Sequence, residues 1–339
     1  MRRSVSVPME SPVKMSRVVE ATTIEEKEFM AHWTPNEIAD LSGKTVLITG
    51  ANSGIGFETA AQLAARSARV VVSCRSQEKA DQTLQRIQQL VPGAQLSAIT
   101  MELSDLDSVA RAADVFLSTH GQLDCLVNNA GVMGLPLLRN ARGHEMVFAV
   151  SHLGHFALTA QLLPALRAAT QARVVTVSSL AARKGQLLMN DLHWQHTPYS
   201  KVAAYARAKL ANLSFALELQ RRFDAAGMEA LSLAAHPGYA ATNVAYASDA
   251  PAGLRRRLWE WIAYLGNRIL AQPAEQGAWP TLYAATSPVV SGGDYIGPAG
   301  PFEFRGPPTK VAAVAAAQDP ALAAELWRQS EDLCGVRLL

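Results

Sequence analysis

The sequence predicts an α/β fold: a single doubly wound domain with a parallel sheet of about seven strands flanked by helices. Two observations lead to this prediction. Short apolar runs, rich in β-branched residues, alternate with segments of helix length, which is the pattern of successive β-α-β units. A glycine-rich turn at residues 49–56 joins the first apolar run to the first helix. We expect one domain over residues 41–339, because the chain shows neither an internal repeat nor a linker.

Six apolar runs are predicted as strands, because short apolar segments are typical of parallel strands buried on both faces of a sheet. In chain order these are Lys44–Thr49, Arg69–Ser73, Leu96–Met101, Cys125–Asn128, Arg173–Ser178 and Ala230–Ala235. Helices are predicted between them, at Phe57–Ser67, Ser76–Leu90, Asp105–His120, His144–Thr170 and Tyr205–Phe223.

The composition excludes several classes of protein. The net charge is +2, so the chain lacks the strong field expected of a nucleic-acid-binding protein. The three cysteines, Cys74, Cys125 and Cys334, are too few and too scattered for a disulfide framework or a zinc site. This usage is typical of a reducing compartment, and we expect a cytoplasmic protein. No run of about 18 apolar residues occurs, so we also expect no transmembrane span.

The first 40 residues are predicted to lie outside the domain. Met1-Arg2-Arg3 begins like a targeting sequence, but the following stretch, Val13–Glu28, is polar and charged rather than apolar. We therefore expect residues 1–40 to form a loosely ordered arm.

The glycine-rich segment has the spacing G-x-x-x-G-x-G at Gly50, Gly54 and Gly56. Gly50 would permit a tight turn off the strand, and Gly54 would let the backbone approach a diphosphate. Gly56 would let the following helix pack closely on the sheet. Amide groups at the start of that helix favour phosphate. An ordinary glycine turn is the alternative, but the position between a strand and a helix favours a dinucleotide site.

The end of the second predicted strand distinguishes between dinucleotides. A carboxylate there would bind a ribose 2′-hydroxyl, whereas an arginine favours a 2′-phosphate. This chain has Arg75 at that point and no acidic residue before Glu78. NADP(H) is therefore favoured over NAD(H), the alternative being that Arg75 is a solvated loop residue.

Tyr205 and Lys209 are spaced so that both lie on one face of a helix. An ammonium group beside a phenol stabilises the phenolate, as a general acid–base residue requires. The alternative is an amphipathic helix that carries both residues by chance. Ser178-Ser179 ends the fifth predicted strand, where parallel sheets place ligands, and a hydroxyl there could hold a substrate oxygen.

Five motifs, taken in order, resemble the short-chain dehydrogenase/reductase family over about residues 41–300. Two further segments, SHLGHFALT and LWRQSEDLCGV, resemble the retinol-dehydrogenase-like branch of that family. The five motifs are TGANSGIG (Thr49–Gly56), NNAG (Asn128–Gly131), VSS (Val177–Ser179), YARAK (Tyr205–Lys209) and HPG (His236–Gly238).

The resemblance implies a Rossmann-type domain and a role for each matching residue. Ser179 would orient the carbonyl group, Tyr205 would donate or accept the proton, and Lys209 would bind the nicotinamide ribose and tune the tyrosine. Asn129, Ala130 and Gly131 would line the adenosine side, and Glu102-Leu103 would lie near the adenine. The remaining expected cofactor contacts are Gly50, Asn52, Ser53, Gly54, Ile55, Gly56 and Arg75, with Pro237, Gly238 and Thr242 at the nicotinamide end.

One position departs from the family pattern in a way that bears on mechanism. The family usually has asparagine before HLGHF, where it helps to hold a water in a proton relay behind the lysine. This chain has Ser151, which is shorter and has a different donor set. Glu102 also replaces the commoner aspartate, which is a milder change.

These patterns predict an NADP(H)-dependent carbonyl reductase or alcohol dehydrogenase that acts on a rather apolar small molecule, without a metal. The alternative is a nucleotide-binding regulatory or scaffold protein with weak catalysis, which only Ser151 favours. His152 and His155 are interpreted as structural histidines rather than metal ligands.

The amphipathic segment Leu254–Leu270 falls within a predicted substrate cap over about residues 240–272. It could also touch a membrane surface or another copy of the chain. The sequence leaves open whether the protein is a monomer or a homo-oligomer.

Overall fold

The computed structural model describes residues 32–239 and 272–339, and it confirms the α/β fold class. The strands are β1 Thr45–Thr49, β2 Arg69–Cys74, β3 Leu96–Thr100, β4 Cys125–Asn128, β5 Arg173–Val177, β6 Leu231–Ala235, β7 Tyr295–Pro298 and β8 Pro308–Lys310. They form one eight-stranded sheet in the order β3-β2-β1-β4-β5-β6-β7-β8. Strands β1 to β7 are parallel, and β8 runs antiparallel to β7.

The helices lie on both faces of the sheet. They are α1 Gly54–Ala64, α2 Gln77–Leu90, α3 Leu106–Thr119, α4 Met146–Phe148, α5 Gly154–Gln161, α6 Leu163–Ala168, α7 Lys201–Ala225, α8 Ala274–Thr286, α9 Ala315–Gln318 and α10 Pro320–Cys334. Short 3₁₀ helices occur at Pro35–Glu37, Leu180–Lys184 and Pro301–Glu303. None of the helices in residues 32–239 and 272–339 combines the length and apolarity needed to span a membrane.

The two faces of the sheet bury separate apolar layers. Leu47 of β1 belongs to the layer that contains Phe116 of α3 and Phe223 of α7. The next residue, Ile48, belongs to the opposite layer with Leu63 of α1 and Leu282 of α8. Successive strand residues point to opposite faces, so a strand covered on both sides must be apolar throughout. This explains why the predicted strands carried no polar alternation.

The strand order reverses between β1 and β4, and this reversal locates the candidate site. Chain connections leave the sheet in opposite directions at such a switch point, which opens a crevice at the carboxyl ends of the strands. The ends of four strands, at Thr49, Asn128, Val177 and Ala235, lie along this edge. Four of the five motifs begin at or directly after these residues, and the fifth, YARAK, lies on helix α7.

The sheet is larger than the six predicted runs. Strands β7 and β8 are short, contain proline or glycine, and pair at Pro298 and Pro308. Proline and glycine argue against a strand when the sequence is considered alone, although an edge strand tolerates proline.

The predicted helix His144–Thr170 is wrong as a single element. It is divided into α4, α5 and α6, with one π-helical turn at Ala149–Leu153 between α4 and α5. We call residues 149–153 the π-turn. A turn of this kind inserts one extra residue into the helical ladder and is frequent at functional sites. Ser151 lies at its centre.

Residues 32–40 differ from the expectation of a loosely ordered arm. Trp33 is only 1% exposed and meets the ring of Tyr283 edge-on at 5.3 Å. Arg66 of the domain donates a hydrogen bond to the Pro35 carbonyl. The sequence around Trp33 does not indicate that this side chain packs against the domain. Residues 1–31 lie outside the described ranges.

Candidate active site

Three hydrogen bonds join the end of β5 to helix α7. Lys209 Nζ donates to the Val177 carbonyl at 2.8 Å, and Asn212 Nδ2 donates to the same oxygen at 3.2 Å. Ser178 Oγ donates to the Lys209 carbonyl at 2.7 Å. These bonds fix the position of Ser179, the next residue along the chain, relative to the face of α7 that carries Tyr205.

Lys209 is a buried cation with few partners that could offset its charge. Its side chain is 3% exposed, and burial lowers its pKa to about 8. Its ammonium group lies 5.8 Å from the ring centroid of the half-buried Tyr205. A cation close to a tyrosine favours its phenolate form. The arrangement therefore suits proton transfer at the Tyr205 hydroxyl.

Ser179 begins the 3₁₀ helix Leu180–Lys184. Its Oγ accepts a hydrogen bond from the Ala181 backbone at 3.2 Å, which holds the side chain at the carboxyl edge of the sheet. A serine hydroxyl has one proton to donate and can accept two hydrogen bonds. The bond from Ala181 leaves the hydroxyl proton of Ser179 available for an oxygen in the crevice.

Ser151 brings a buried hydroxyl close to Lys209. Within the described residues, Ser151 Oγ has no hydrogen-bond partner. A Cβ atom built on Gly131 would lie 3.5 Å from Ser151 Oγ and 3.4 Å from Lys209 Nζ. Both polar groups therefore border the same small volume beside Gly131. A buried polar atom without a protein partner is usually satisfied by water or a ligand.

The glycine-rich turn has the backbone that its spacing predicts. Gly50 and Gly54 have φ angles of +66° and +56°, which favour glycine. Gly56 is required for a different reason from the one expected. A Cβ atom there would meet Asn129 Nδ2 at 2.5 Å and the Gly50 carbonyl at 2.6 Å, so its contact is with the turn and the next loop rather than with the sheet.

The start of α1 leaves backbone amides available to an anion. Ser53 is the residue before the helix, and its side chain makes no capping bond to the helix amides. Ile55 is buried in the first turn. The Asn52 carbonyl accepts a hydrogen bond from Arg86 at 3.1 Å. Uncapped amides at a helix start are suited to bind phosphate.

The loop after β4 is tied to the end of β1. Asn129 Nδ2 donates to the Thr49 carbonyl at 2.8 Å. The backbone amides of Asn129 and Ala130 both donate to Thr49 Oγ1 at 3.0 Å. We call residues 129–131 the NAG loop. Thr49 therefore holds this loop through both its carbonyl and its hydroxyl, although Thr49 was not among the predicted site residues.

Two arginines lie near the turn, although only one was predicted. Arg75 follows β2 and is exposed, and Ser76 behind it caps α2. Arg86 reaches from α2 to the Asn52 carbonyl, and its guanidinium covers the Phe57 ring at 3.9 Å. Arg86 could not be predicted from local sequence, because an arginine on an exposed helix face is usually solvated.

The acidic residue predicted near the adenine is bound to its own loop. Glu102 Oε1 accepts hydrogen bonds from the Ser104 amide and from Ser104 Oγ. Leu103 is buried, and its carbonyl would lie 2.4 Å from a Cβ atom built on Gly154. Both residues thus shape the floor of this loop. The Glu102 carboxylate is engaged within the protein.

The nicotinamide end of the predicted site contains an ionic cluster that the motifs did not reveal. The Gly238 amide donates to His236 Nδ1 at 3.2 Å, so the other ring nitrogen carries the proton. His236 Nε2 then donates to Glu303 at 3.0 Å, and Glu303 also pairs with Arg183. The hydrogen bond from His236 and the Arg183 charge lower the pKa of Glu303. Burial lowers the pKa of His236.

This cluster holds the HPG segment against the 3₁₀ helix that follows Ser179. Gly238 has a φ angle of +64°, and a Cβ atom there would overlap the Phe304 carbonyl. The Pro237 carbonyl accepts a hydrogen bond from Gln272. Thr242, the predicted cap and the segment Leu254–Leu270 lie outside the described residues.

The two histidines of the SHLGHF segment bond to different protein partners. His152 Nε2 pairs with Ser330 of α10 at 2.9 Å, and His155 Nε2 pairs with Thr49 at 2.8 Å. Burial lowers the pKa of His152 to about 3 and that of His155 to about 4. Within residues 32–239 and 272–339, no cluster of His, Cys, Asp or Glu side chains is arranged to hold a metal ion.

Comparison with known proteins agrees with this geometry. The family model described as short chain dehydrogenase matches residues 44–251. Retinol dehydrogenase 11 from Homo sapiens is 36% identical over 300 residues, which cover 87% of this chain and 87% of that protein. Retinol dehydrogenase 13 from Homo sapiens is 39% identical over 206 residues, which cover 61% of this chain and 62% of that protein.

A solved structure is also similar over most of the chain. An uncharacterized protein from Mycobacterium paratuberculosis is 37% identical, with a TM-score of 0.74, over 91% of this chain and 99% of that chain. The family match, these relatives and the order of the motifs all agree. The chain belongs to the short-chain dehydrogenase/reductase family, in its retinol-dehydrogenase-like branch.

Proposed function

We propose that the protein is an NADP(H)-dependent oxidoreductase that interconverts an alcohol and a carbonyl group on an apolar small molecule. The observation that carries this proposal is the buried Lys209 ammonium, which is bonded to the end of β5 and lies close to Tyr205. Burying a cation is costly for folding, and such a group is common where proton transfer must be tuned.

The residues present fit a dinucleotide. The uncapped amides at the start of α1 would hold the diphosphate, and the exposed Arg75 guanidinium would pair with a 2′-phosphate. The NAG loop would line the adenosine side, and Pro237-Gly238 would border the nicotinamide. NADP(H), when bound there, supplies or accepts a hydride.

The side chains of this chain handle the substrate oxygen and its proton. The Ser179 hydroxyl donates to the substrate oxygen and orients it. In reduction Tyr205 gives its proton to that oxygen, and in oxidation its phenolate takes the proton back. The Lys209 ammonium stabilises the phenolate in both directions. Ser151 then holds a water behind Lys209, through which the proton is exchanged with solvent.

An apolar substrate is supported by the side chains bordering the predicted nicotinamide end. Phe302 is 78% exposed, and its ring lies 5.8 Å from that of Phe304 in a tilted arrangement. The Phe304 ring in turn lies 5.9 Å from that of Tyr239, beside the HPG segment. Val202, one helical turn before Tyr205, is 71% exposed. The relatives named retinol dehydrogenases also favour a large apolar alcohol or aldehyde. A cytoplasmic location and a monomeric or homo-oligomeric state stay predictions.

The main test is the Tyr205→Phe variant, assayed by NADPH oxidation with a panel of aldehydes and ketones that includes retinaldehyde. We expect kcat to fall by about 10²–10⁴-fold, because the phenolic proton is required for chemistry. The Kd for NADPH, measured by titration, should stay near that of the wild type. Tyr199→Phe is a matched control, since the Tyr199 hydroxyl bonds to the Leu135 carbonyl and the Glu145 carboxylate rather than to a predicted site residue. Substantial turnover by Tyr205→Phe would contradict the mechanism.

Cofactor preference is tested at Arg75. Arg75→Ala should weaken NADPH binding by about 1–3 kcal/mol, the range for a charge-assisted hydrogen bond, and leave NADH binding nearly unchanged. Arg69→Ala removes the same charge from the opposite end of β2 and serves as the control. Titrations with both dinucleotides measure the effect. Equal losses for NADPH and NADH would refute this role of Arg75.

The relay is tested at Ser151. Ser151→Ala should lower kcat modestly, because proton exchange is slowed while Tyr205 and Lys209 still act. Ser151→Asn, the residue usual in the family, should keep or raise kcat. The control is Ser214→Ala, which removes another buried hydroxyl that has no partner among the described residues. If Ser151→Ala has the same pH–rate profile as the wild type, Ser151 is only a packing residue.

The buried charge of Lys209 should lower the free energy of unfolding. Its pKa falls from 10.5 to about 8 on folding, which corresponds to about 3 kcal/mol of destabilisation. Below pH 8 Lys209 is charged in both the folded and the unfolded protein, so the full destabilisation is present. Between pH 8 and pH 10.5 the folded protein loses this proton before the unfolded protein does, so the destabilisation disappears as pH rises. Lys209→Met should therefore be inactive yet more stable at pH 7 by up to about 3 kcal/mol.

Urea unfolding of the wild type and of Lys209→Met at pH 7 and at pH 10.5 measures this destabilisation. The stability that Lys209→Met gains over the wild type should be smaller at pH 10.5. Lys44→Met is the control and should be less stable than the wild type, because Lys44 is half-exposed and paired with Asp124 at 2.9 Å. A Lys209→Met variant that is less stable than the wild type at pH 7 would show that the Val177 bond outweighs the cost of burial.

A further inference from the structure

The buried side chain of His155 has a fixed tautomer. Its Nδ1 lies 2.9 Å from the Ser151 carbonyl, and a carbonyl oxygen can only accept a hydrogen bond. Nδ1 therefore carries the proton and donates it. Nε2 is then an acceptor, and Thr49 Oγ1, 2.8 Å away, must donate to it. The ring joins the π-turn to the end of β1.

The Thr49 hydroxyl is fully used by this arrangement. It donates its single proton to His155, and its lone pairs accept the amides of Asn129 and Ala130. The Val127 carbonyl, at 3.4 Å, is a much poorer acceptor for that proton. Without the histidine acceptor, the hydroxyl would be free to rotate and the two amide bonds would weaken.

These bonds connect residues that lie on two sides of Lys209. The Ser151 carbonyl is bound by His155, whereas the Ser151 hydroxyl and the Lys209 ammonium both border Gly131. Gly131 follows the two amides that Thr49 binds. The same histidine thus connects the backbone of Ser151 to the loop that faces the Ser151 side chain. Burial and the Lys209 charge lower the pKa of His155 to about 4, which agrees with the neutral ring that these bonds require.

We propose that His155 is a positioning residue: its neutral ring sets the distance between the π-turn and the NAG loop, and thereby holds Ser151 and that loop in place around Lys209. The proposal rests on the proposed function in that the NAG loop is taken to bind the dinucleotide. It predicts that His155 affects cofactor affinity although its side chain is almost completely buried.

The first test compares His155→Phe with His144→Phe. Both substitutions replace a buried histidine by a ring of similar size, and His144 stacks on His193 without any bond to the NAG loop. We expect His155→Phe to raise the Kd for NADPH about tenfold, as expected for one lost hydrogen bond, and His144→Phe to change it less than about twofold. The KM for the carbonyl substrate should stay unchanged.

A second pair of variants tests the positioning role of His155 if His155→Phe fails to fold. The amide of His155→Gln reaches to about the place of Nε2 and keeps an acceptor for Thr49. The amide of His155→Asn matches Nδ1 and loses that acceptor. We expect NADPH to bind His155→Gln nearly as tightly as the wild type and His155→Asn about tenfold more weakly. Equal Kd values for the two variants would overturn the proposal.

The experiment separates this inference from the proposed function, because Kd is measured without turnover. Wild-type protein that binds NADPH but reduces no carbonyl in the panel would refute the proposed function alone. An active wild type whose His155→Phe variant binds NADPH normally would refute the positioning role alone.

Discussion

The bond between the Lys209 ammonium and the Val177 carbonyl is the interaction on which the geometry of the site depends. It joins the end of strand β5 to helix α7. Asn212 and Ser178 add two further bonds between the same elements. These backbone-directed bonds therefore help to set the relative position of Tyr205 and Ser179.

The doubly wound fold makes this arrangement possible because it collects strand ends at one edge. Residues directly after β1, β4, β5 and β6 lie together there although they are far apart in the sequence. Thr49 illustrates the consequence, since one buried hydroxyl at a strand end binds the backbone of Asn129 and Ala130 about 80 residues later. Small polar side chains at strand ends can thus hold the neighbouring loops in place.

Local patterns explain why much of this could be predicted from sequence. A strand buried on both faces must be apolar along its whole length, and a phosphate-binding turn needs glycine where φ is positive. Gly50 and Gly54 meet that second condition. The predictions were weaker where the cause is a tertiary contact. The π-turn around Ser151, the burial of Trp33 and the pairing of β8 depend on neighbours that no local window contains.

The loop at Phe302 and Glu303 shows how a tertiary contact can hold a strained backbone. Phe302 and Glu303 have φ angles of +55° and +59°, a conformation that costs a non-glycine residue of order 1 kcal/mol or more. The bonds of Glu303 to His236 and Arg183 offset that cost. Because Arg183 belongs to the 3₁₀ helix after Ser179, the strained loop and the β5 end are held by one cluster. The bonds of Glu303 therefore also hold its neighbour Phe302 in place, with its large apolar ring 78% exposed, where hydrophobic burial alone would not leave it.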